Sequence, residues 1–293
     1  SSSNIYIKLI MTTYKAIHGK TLLNVASDLD NAEGEGQIWF NTTSSDYKTI
    51  QKVAGAWSTG GNISANKAEL GSCGTQTAAM VFGGIKPGAI DETEQYNGST
   101  WSEVNDLNTA RSGMGGAGTQ TAGLGFGGNT DAPQAVSEEF DGTNWAEGDN
   151  LNQARYFLQG AGTQTAGLGF GGYDPGAYSA DTEEYNGSSW TESGDMNTAR
   201  NELGGCGTQT AGLAFGGAAP AASAASESYN GTSWTEGNDL NSGRKTLTGF
   251  GIQVNAIAAG GGRPGGALTE LYDGSSWTEV GDLSTGRYSL GGA

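Results

Sequence analysis

GTQTAGLGFGG, residues 118–128, carries almost no reactive side chains, yet the same words return at 162–172 and, with one change, at 207–217. Read as an extended strand, the stretch alternates. Ala122, Leu124 and Phe126 fall on one side, Gly123 and Gly125 on the other. Large side chains on one face and none on the other suit a strand crowded by a neighbouring sheet, with glycine serving as a spacer. A phosphate-cradling loop is the wrong reading, since neither a lysine nor a helical pattern follows the glycines.

Working outward, the copies sit in a longer period. Trp57, Trp101, Trp145, Trp190, Trp234 and Trp277 recur every 43–45 residues, and self-similarity at such a period usually decides a fold. One unit, 111–145, parses into four short strands: a first at about 112–117, a second at about 121–127 with Gly118 at the bend between them, a third through SEEF, and a fourth starting near Trp145. Between third and fourth strands stand Asn97-Gly98, Asp141-Gly142, Asn186-Gly187, Asn230-Gly231 and Asp273-Gly274. Such pairs favour the two-residue type I′ hairpin turn. Four-stranded antiparallel units of this length predict the blades of an all-β propeller.

The wording of the units carries a family resemblance. Gly83-Gly84 after an apolar strand, then Tyr96, Trp101 and DLNTAR (106–111), with MNTAR again at 196–200, resembles the kelch repeat over about residues 67–293. GTQTAG, YNGSSW and EGQIWFNTTS (35–44) also resemble kelch-like proteins of marine bacteriophages and environmental sequences. That second resemblance implies a virion- or tail-associated structural protein.

Five complete units follow Lys67, Arg111, Arg155, Arg200 and Arg244. The last residues, RYSLGGA from Arg287, match only a first strand. A lone strand leaves an open edge, and GQIWFN, DYKTIQKV and GAWSTGG near the N-terminus read as a second, third and fourth strand. The expectation is therefore six blades over residues 35–293, the sixth closed by the C-terminal strand pairing with N-terminal strands. Residues 1–34 form an arm outside the blades. In that arm the alternation of Ile5, Ile7 and Leu9 suits a strand added to a neighbouring subunit; a locally packed or disordered tail is the alternative.

Composition limits the function. A net charge of −17 and no basic stripe argue against nucleic acid as a partner. No apolar run reaches membrane-spanning length, and the start lacks the flanks of a signal peptide. His18 is the sole histidine, so no multi-histidine metal site is expected, and the copper oxidases built on the kelch fold, which need two histidines, are out of reach. Cys73 and Cys206 occupy equivalent places three blades apart. They read as reduced core residues rather than a disulfide.

The repeated polar residues single out no catalytic group. Glu94, Glu138, Glu183, Glu227 and Glu270 recur in the third strands and read as the solvated face of a half-buried strand; a cation-binding band is the alternative. Arg111, Arg155, Arg200, Arg244, Arg287 and Lys67 read as structural cations bonding carbonyls at blade corners. Neither an enzyme nor a cofactor is expected.

Variation is concentrated elsewhere. Pro87, Pro133, Pro175, Pro220 and Pro264 all fall between second and third strands, in loops that emerge on one face. Variable loops on a rigid frame are where recognition resides. The candidate binding residues are Pro87, Asp131, Tyr173, Asp174, Tyr178 and Arg263. The leading expectation is a non-enzymatic structural or adhesive module, virion-associated or extracellular, forming homo-oligomers or a virion assembly through residues 1–34. A lectin-like propeller that binds a host-surface glycan with these loops is the alternative, and a glycan hydrolase the remote one.

Overall fold

The computed structural model describes residues 6–8, 23–25, 38–41, 46–50, 57–262 and 266–292. The chain divides into two compact units, Ser1–Ala56 and Trp57–Ala293. In the first, a sheet orders its strands Tyr6–Lys8, Asp46–Ile50, Ile38–Asn41 and Leu23–Val25. Leu23–Val25 runs parallel to Ile38–Asn41, and the other pairs are antiparallel. Tyr6–Lys8 thus pairs within its own chain. Ile5, Leu9 and His18 lie outside the described residues.

The second unit is a β-propeller of five four-stranded antiparallel blades. The second blade comprises Gly115–Thr119, Ala122–Phe126, Ser137–Phe140 and Trp145–Glu147. The others repeat it, starting at Gly71–Thr75, Gln159–Thr163, Gly204–Thr208 and Thr248–Ile252. First strands of successive blades lie side by side at the centre. Strands Gly115–Thr119 and Ala122–Phe126 turn through Gln120 and Thr121, so Gly118 belongs to the strand, opposite Gly123.

Glycine acts as the predicted spacer. Leu124 and Phe126 are fully buried, and a Cβ on Gly167 or Gly169 of the next blade would come within 2.8 Å of the Leu124 or Phe126 side chain. A Cβ on Gly125 would likewise meet Phe82 of the preceding blade at 2.8 Å. Each blade therefore inserts its Leu and Phe where its neighbour has none. Gly160 is tighter, because its Cβ would fall on the backbone carbonyl of Gly116, which has no rotamer with which to yield. Gly160→Ala is expected to cost roughly 1–3 kcal/mol in thermal unfolding, whereas Gly88→Ala, with nothing within 4 Å, leaves the midpoint unchanged.

The hairpin turns depart from expectation. Third and fourth strands are joined by four residues, as in Asn97–Thr100 between Thr93–Tyr96 and Trp101–Val104. Gly98 has φ 89°, but Asn97 is not among the residues with positive φ, as a type I′ turn would require. The Asn97 Oδ1 instead accepts the N–H groups of Ser99 and Thr100 at 3.0 and 2.9 Å. Asp141 does the same for Thr143 and Asn144. The side chain thus makes the turn together with one backbone bond, from Asn97 N to Thr100 O at 3.2 Å and from Asp141 N to Asn144 O at 3.1 Å.

The blade count is five, not six. The expected sixth-blade strands 38–41 and 46–50 pair with each other and with 23–25 and 6–8, so their edges are occupied. The C-terminal segment instead takes the first-strand place between the fifth and first blades. Ser72 Oγ donates to Gly292 O at 2.8 Å, and a Cβ on Gly291 or Gly292 would meet Ser72 or Thr248. Trp57 supplies the fourth-strand tryptophan of this sector. Its Nε1 donates to Thr269 Oγ1 at 3.1 Å, as Trp145 does to Thr93 and Trp234 to Thr182.

A belt of backbone hydrogen bonds closes the ring through all six sectors. Gly113 N donates to Glu69 O (2.9 Å), Phe157 N to Gly113 O (2.7 Å), Glu202 N to Phe157 O (3.0 Å), Thr246 N to Glu202 O (2.8 Å), Ser289 N to Thr246 O (2.8 Å), and Glu69 N to Ser289 O (3.3 Å). All six residues have positive φ, 52–63°. For Phe157 and the β-branched Thr246 this is a conformation that costs energy in isolation. It is held by bonding on both sides.

Candidate functional site on the proline-loop face

The repeated polar residues are committed to joining blades. Glu138 is fully buried and receives Arg111 Nη2 at 2.8 Å, Asn108 N at 2.6 Å and Asn108 Nδ2 at 2.9 Å. Arg111 Nη1 donates to the carbonyls of Gly127 and Val136. The Asn-x-x-Arg spacing of DLNTAR is thus a two-point grip on the next glutamate. It recurs at Glu183, Glu227 and Glu270. At Glu94, Ser64 and Lys67 replace Asn and Arg.

The corner-cation reading holds for the four buried arginines, while Arg287 is exposed. The solvated-face reading of the glutamates does not hold. Sequence alternation gave no sign of a guanidinium arriving from the connector, which occupies the site a solvent shell or metal cation would take. Burial alone would lower the Lys67 pKa, but hydrogen bonds with Glu92 and Glu94 raise it above its ordinary value.

Other conspicuous groups are structural too. Gln120 Nε2 donates to the Ala79 and Tyr96 carbonyls of the preceding blade at 3.0 and 2.6 Å, which explains the Gln of GTQT; Gln164, Gln209 and Gln253 repeat the clamp. Cys73 and Cys206 are free and buried, and burial pushes both thiols up to about 12. A central cavity of about 150 Å³ is lined mainly by first-strand backbone and small residues. Among the described residues no cluster of three or more His, Cys, Asp or Glu side chains has metal-binding geometry.

The irregular chemistry lies on the face with the belt. Four of the six residues that precede a belt residue bridge to a proline loop: Ala68 to Ile85, Ser112 to Asn129, Tyr156 to Tyr173 and Asn201 to Ala218. The loops therefore surround the belt as an outer circle. Pro87 and Asp131 are exposed in the first two loops and on different blades from the rest, so they do not join one cluster. Arg263 lies outside the described residues.

The third loop is different. Tyr173–Asp174 and Ala177–Tyr178 form a small hairpin of their own. Tyr173 and Tyr178 meet edge to face at 5.5 Å, and Tyr173 meets Tyr156 at 5.7 Å. Phe157 lies 4.8 Å from Tyr156. All four rings are half-buried. Asp174 is occupied with the turn, its Oδ1 accepting the Ala177 N–H at 3.1 Å.

Tyr156, Phe157, Glu69 and Glu202 were not among the sequence candidates. The available signal was the pair after the corner cation, which reads Ala-Glu, Ser-Gly, Tyr-Phe, Asn-Glu, Lys-Thr and Tyr-Ser around the ring, as variable as the proline loops. Burial and the nearby Glu202 raise the Glu69 pKa, against a hydrogen bond from Ser112. The Tyr156 hydroxyl is raised by burial and by Tyr173, Glu202 and Glu69. The face is thus aromatic on one side and anionic near the axis. No protein-family model matches the sequence, and no curated protein matches it.

Proposed function

We propose that the chain is a non-enzymatic structural or adhesive module of a virion or extracellular assembly, with the proline-loop face turned towards its target and residues 1–34 contributing to self-association. The observation that carries this reading is the division of labour within the ring. The repeated carboxylates, cations and glutamines are consumed in holding blades together, and the departures from the repeat gather on one face. Rigid display of variable loops suits recognition better than turnover. The kelch-like wording of the repeats, and its likeness to phage structural proteins, supports the virion setting. The compact unit Ser1–Ala56 gives the ring a separate part with which to associate.

A second reading, glycan binding, is favoured by the aromatic hairpin. Tyrosine faces with neighbouring hydroxyl and carboxylate groups suit the mixed apolar and polar surfaces of a sugar. On a glycan array the intact chain is expected to retain a restricted set of oligosaccharides, and Tyr173→Ala with Tyr178→Ala to lose them at least tenfold without a change in melting temperature. An empty array removes the glycan reading. Particles imaged from the native source that lack the chain, together with a monomeric state in solution, remove the structural and adhesive one.

A further inference from the structure

At the centre of the proline-loop face the belt encloses a depression of about 70 Å³. Its floor is a collar of six apolar side chains, one from each sector, Leu70, Met114, Leu158, Leu203, Leu247 and Leu290, with Gln159 beside them donating its Nε2 to Gly205 O at 3.1 Å. Its rim is the belt itself, which places Glu69 and Glu202 three sectors apart in a six-membered cycle and so on opposite sides of the axis. Phe157 stands between them on one arc, Thr246 and Ser289 on the other.

A ligand on the axis therefore meets hydrocarbon below, carboxylates on two sides, an aromatic ring on a third and hydroxyls on the fourth. The volume admits a side-chain tip rather than a sugar ring or nucleotide. Lys245 already reaches Glu202 at 2.6 Å from the outside, with its side chain 46% exposed. That ion pair engages one oxygen of Glu202, while Glu69, which also lines the depression, accepts the hydroxyl of Ser112.

We propose that this depression binds a primary alkylammonium group, its stem on the Leu/Met collar and its three N–H donors shared between Glu69, Glu202 and the hydroxyls of Thr246 and Ser289. A metal ion would leave the apolar floor unused. The rim sets two carboxylates against the one ammonium of Lys245, and a neutral alkyl group would add no charge to balance them. An ammonium on a short stem satisfies both, with Phe157 adding a cation–π contact. The shared chemistry is that of a free aliphatic amine and of a lysine side chain. The assignment does not depend on the adhesive reading, because it concerns occupancy of the axis and not attachment to a surface.

The test is titration of the full chain with n-butylammonium, butan-1-ol and Nα-acetyl-lysine methylamide, followed by NMR shifts of the ring amides. Millimolar binding of butylammonium is expected, weakened at least tenfold for butanol and for the Glu69→Gln/Glu202→Gln variant, a loss of about 1.4 kcal/mol. Lys245→Met, which removes the competing internal ammonium, is expected to tighten binding several-fold. Binding of the lysine derivative assigns the site to protein side chains, and its failure beside bound butylammonium assigns it to free amines. Equal binding of butanol and butylammonium overturns the proposal, as does amine binding unchanged by the double variant or no saturation at about 50 mM. Near-ultraviolet circular dichroism of each variant separates lost binding from lost fold.

Discussion

Arg155→Met is expected to lower the free energy of unfolding by about 3–5 kcal/mol, the largest loss from any single polar side chain of the third blade. Arg155 and Glu183 are both fully buried and meet at 2.9 Å. Arg155 Nη1 also donates to the carbonyls of Gly171 and Asp181 at 2.8 and 2.6 Å. Removing the guanidinium strands an anion and two carbonyls where water does not reach. Asn152 still grips Glu183 through its backbone N–H and Nδ2 at 2.7 and 2.9 Å, but neutral donors do not supply the missing charge. The double variant Arg155→Met/Glu183→Leu is expected to be more stable than the single one, because no uncompensated charge remains. Arg287→Met, at an exposed site, is the control and should stay within about 0.5 kcal/mol of the parent. Urea unfolding followed by tryptophan fluorescence reads all three. A single variant no weaker than the double one would mean that the pair contributes by packing and not by charge.

These grips also show where a sequence is informative and where it is not. The repeat fixed by Trp145, Trp190 and Trp234 is visible because each of these tryptophans answers to the same neighbour, a Ser or Thr that opens the third strand of the preceding blade. The Gly125 and Gly169 spacers were legible for the same reason, as alternation along a strand is a local property. Glu138 was misread because its partner lies 27 residues away on a connector with no periodic pattern, and strand alternation alone cannot tell water from a guanidinium. The sixth sector was half legible. RYSLGG (287–292) does occupy a first-strand place and Trp57 a fourth-strand one, but sequence similarity could not say with which strands 38–41 and 46–50 would pair. Tyr156 and Phe157 escaped because they sit in a connector, and only the ring brings that connector against the Tyr173–Tyr178 hairpin.

Ser289→Pro is expected to open the ring, with a loss of about 3 kcal/mol or more. Ser289 has φ 55°, whereas proline holds φ near −65°, and the change also deletes the N–H that reaches Thr246 O at 2.8 Å. Once residue 289 is displaced, Glu69 N loses its acceptor, so both junctions of the sixth sector fail together. Leu290 would leave the collar, and the first strands of the first and fifth blades would face an empty sector. Ser289→Gly should act in the opposite sense, raising stability by roughly 0.5–1 kcal/mol, because glycine occupies the left-handed region without penalty, as Gly113 already does in the second sector with φ 63°. Hydrogen exchange at the amides of Glu69 and Ser72 distinguishes ring opening from general destabilisation. Opening accelerates these two ahead of their equivalents in the second and third blades, Gly113 and Gly116, Phe157 and Gly160. Uniform acceleration in all blades, or a Ser289→Pro variant as stable as the parent, would show that side-chain packing at the blade interfaces closes the propeller without help from the belt.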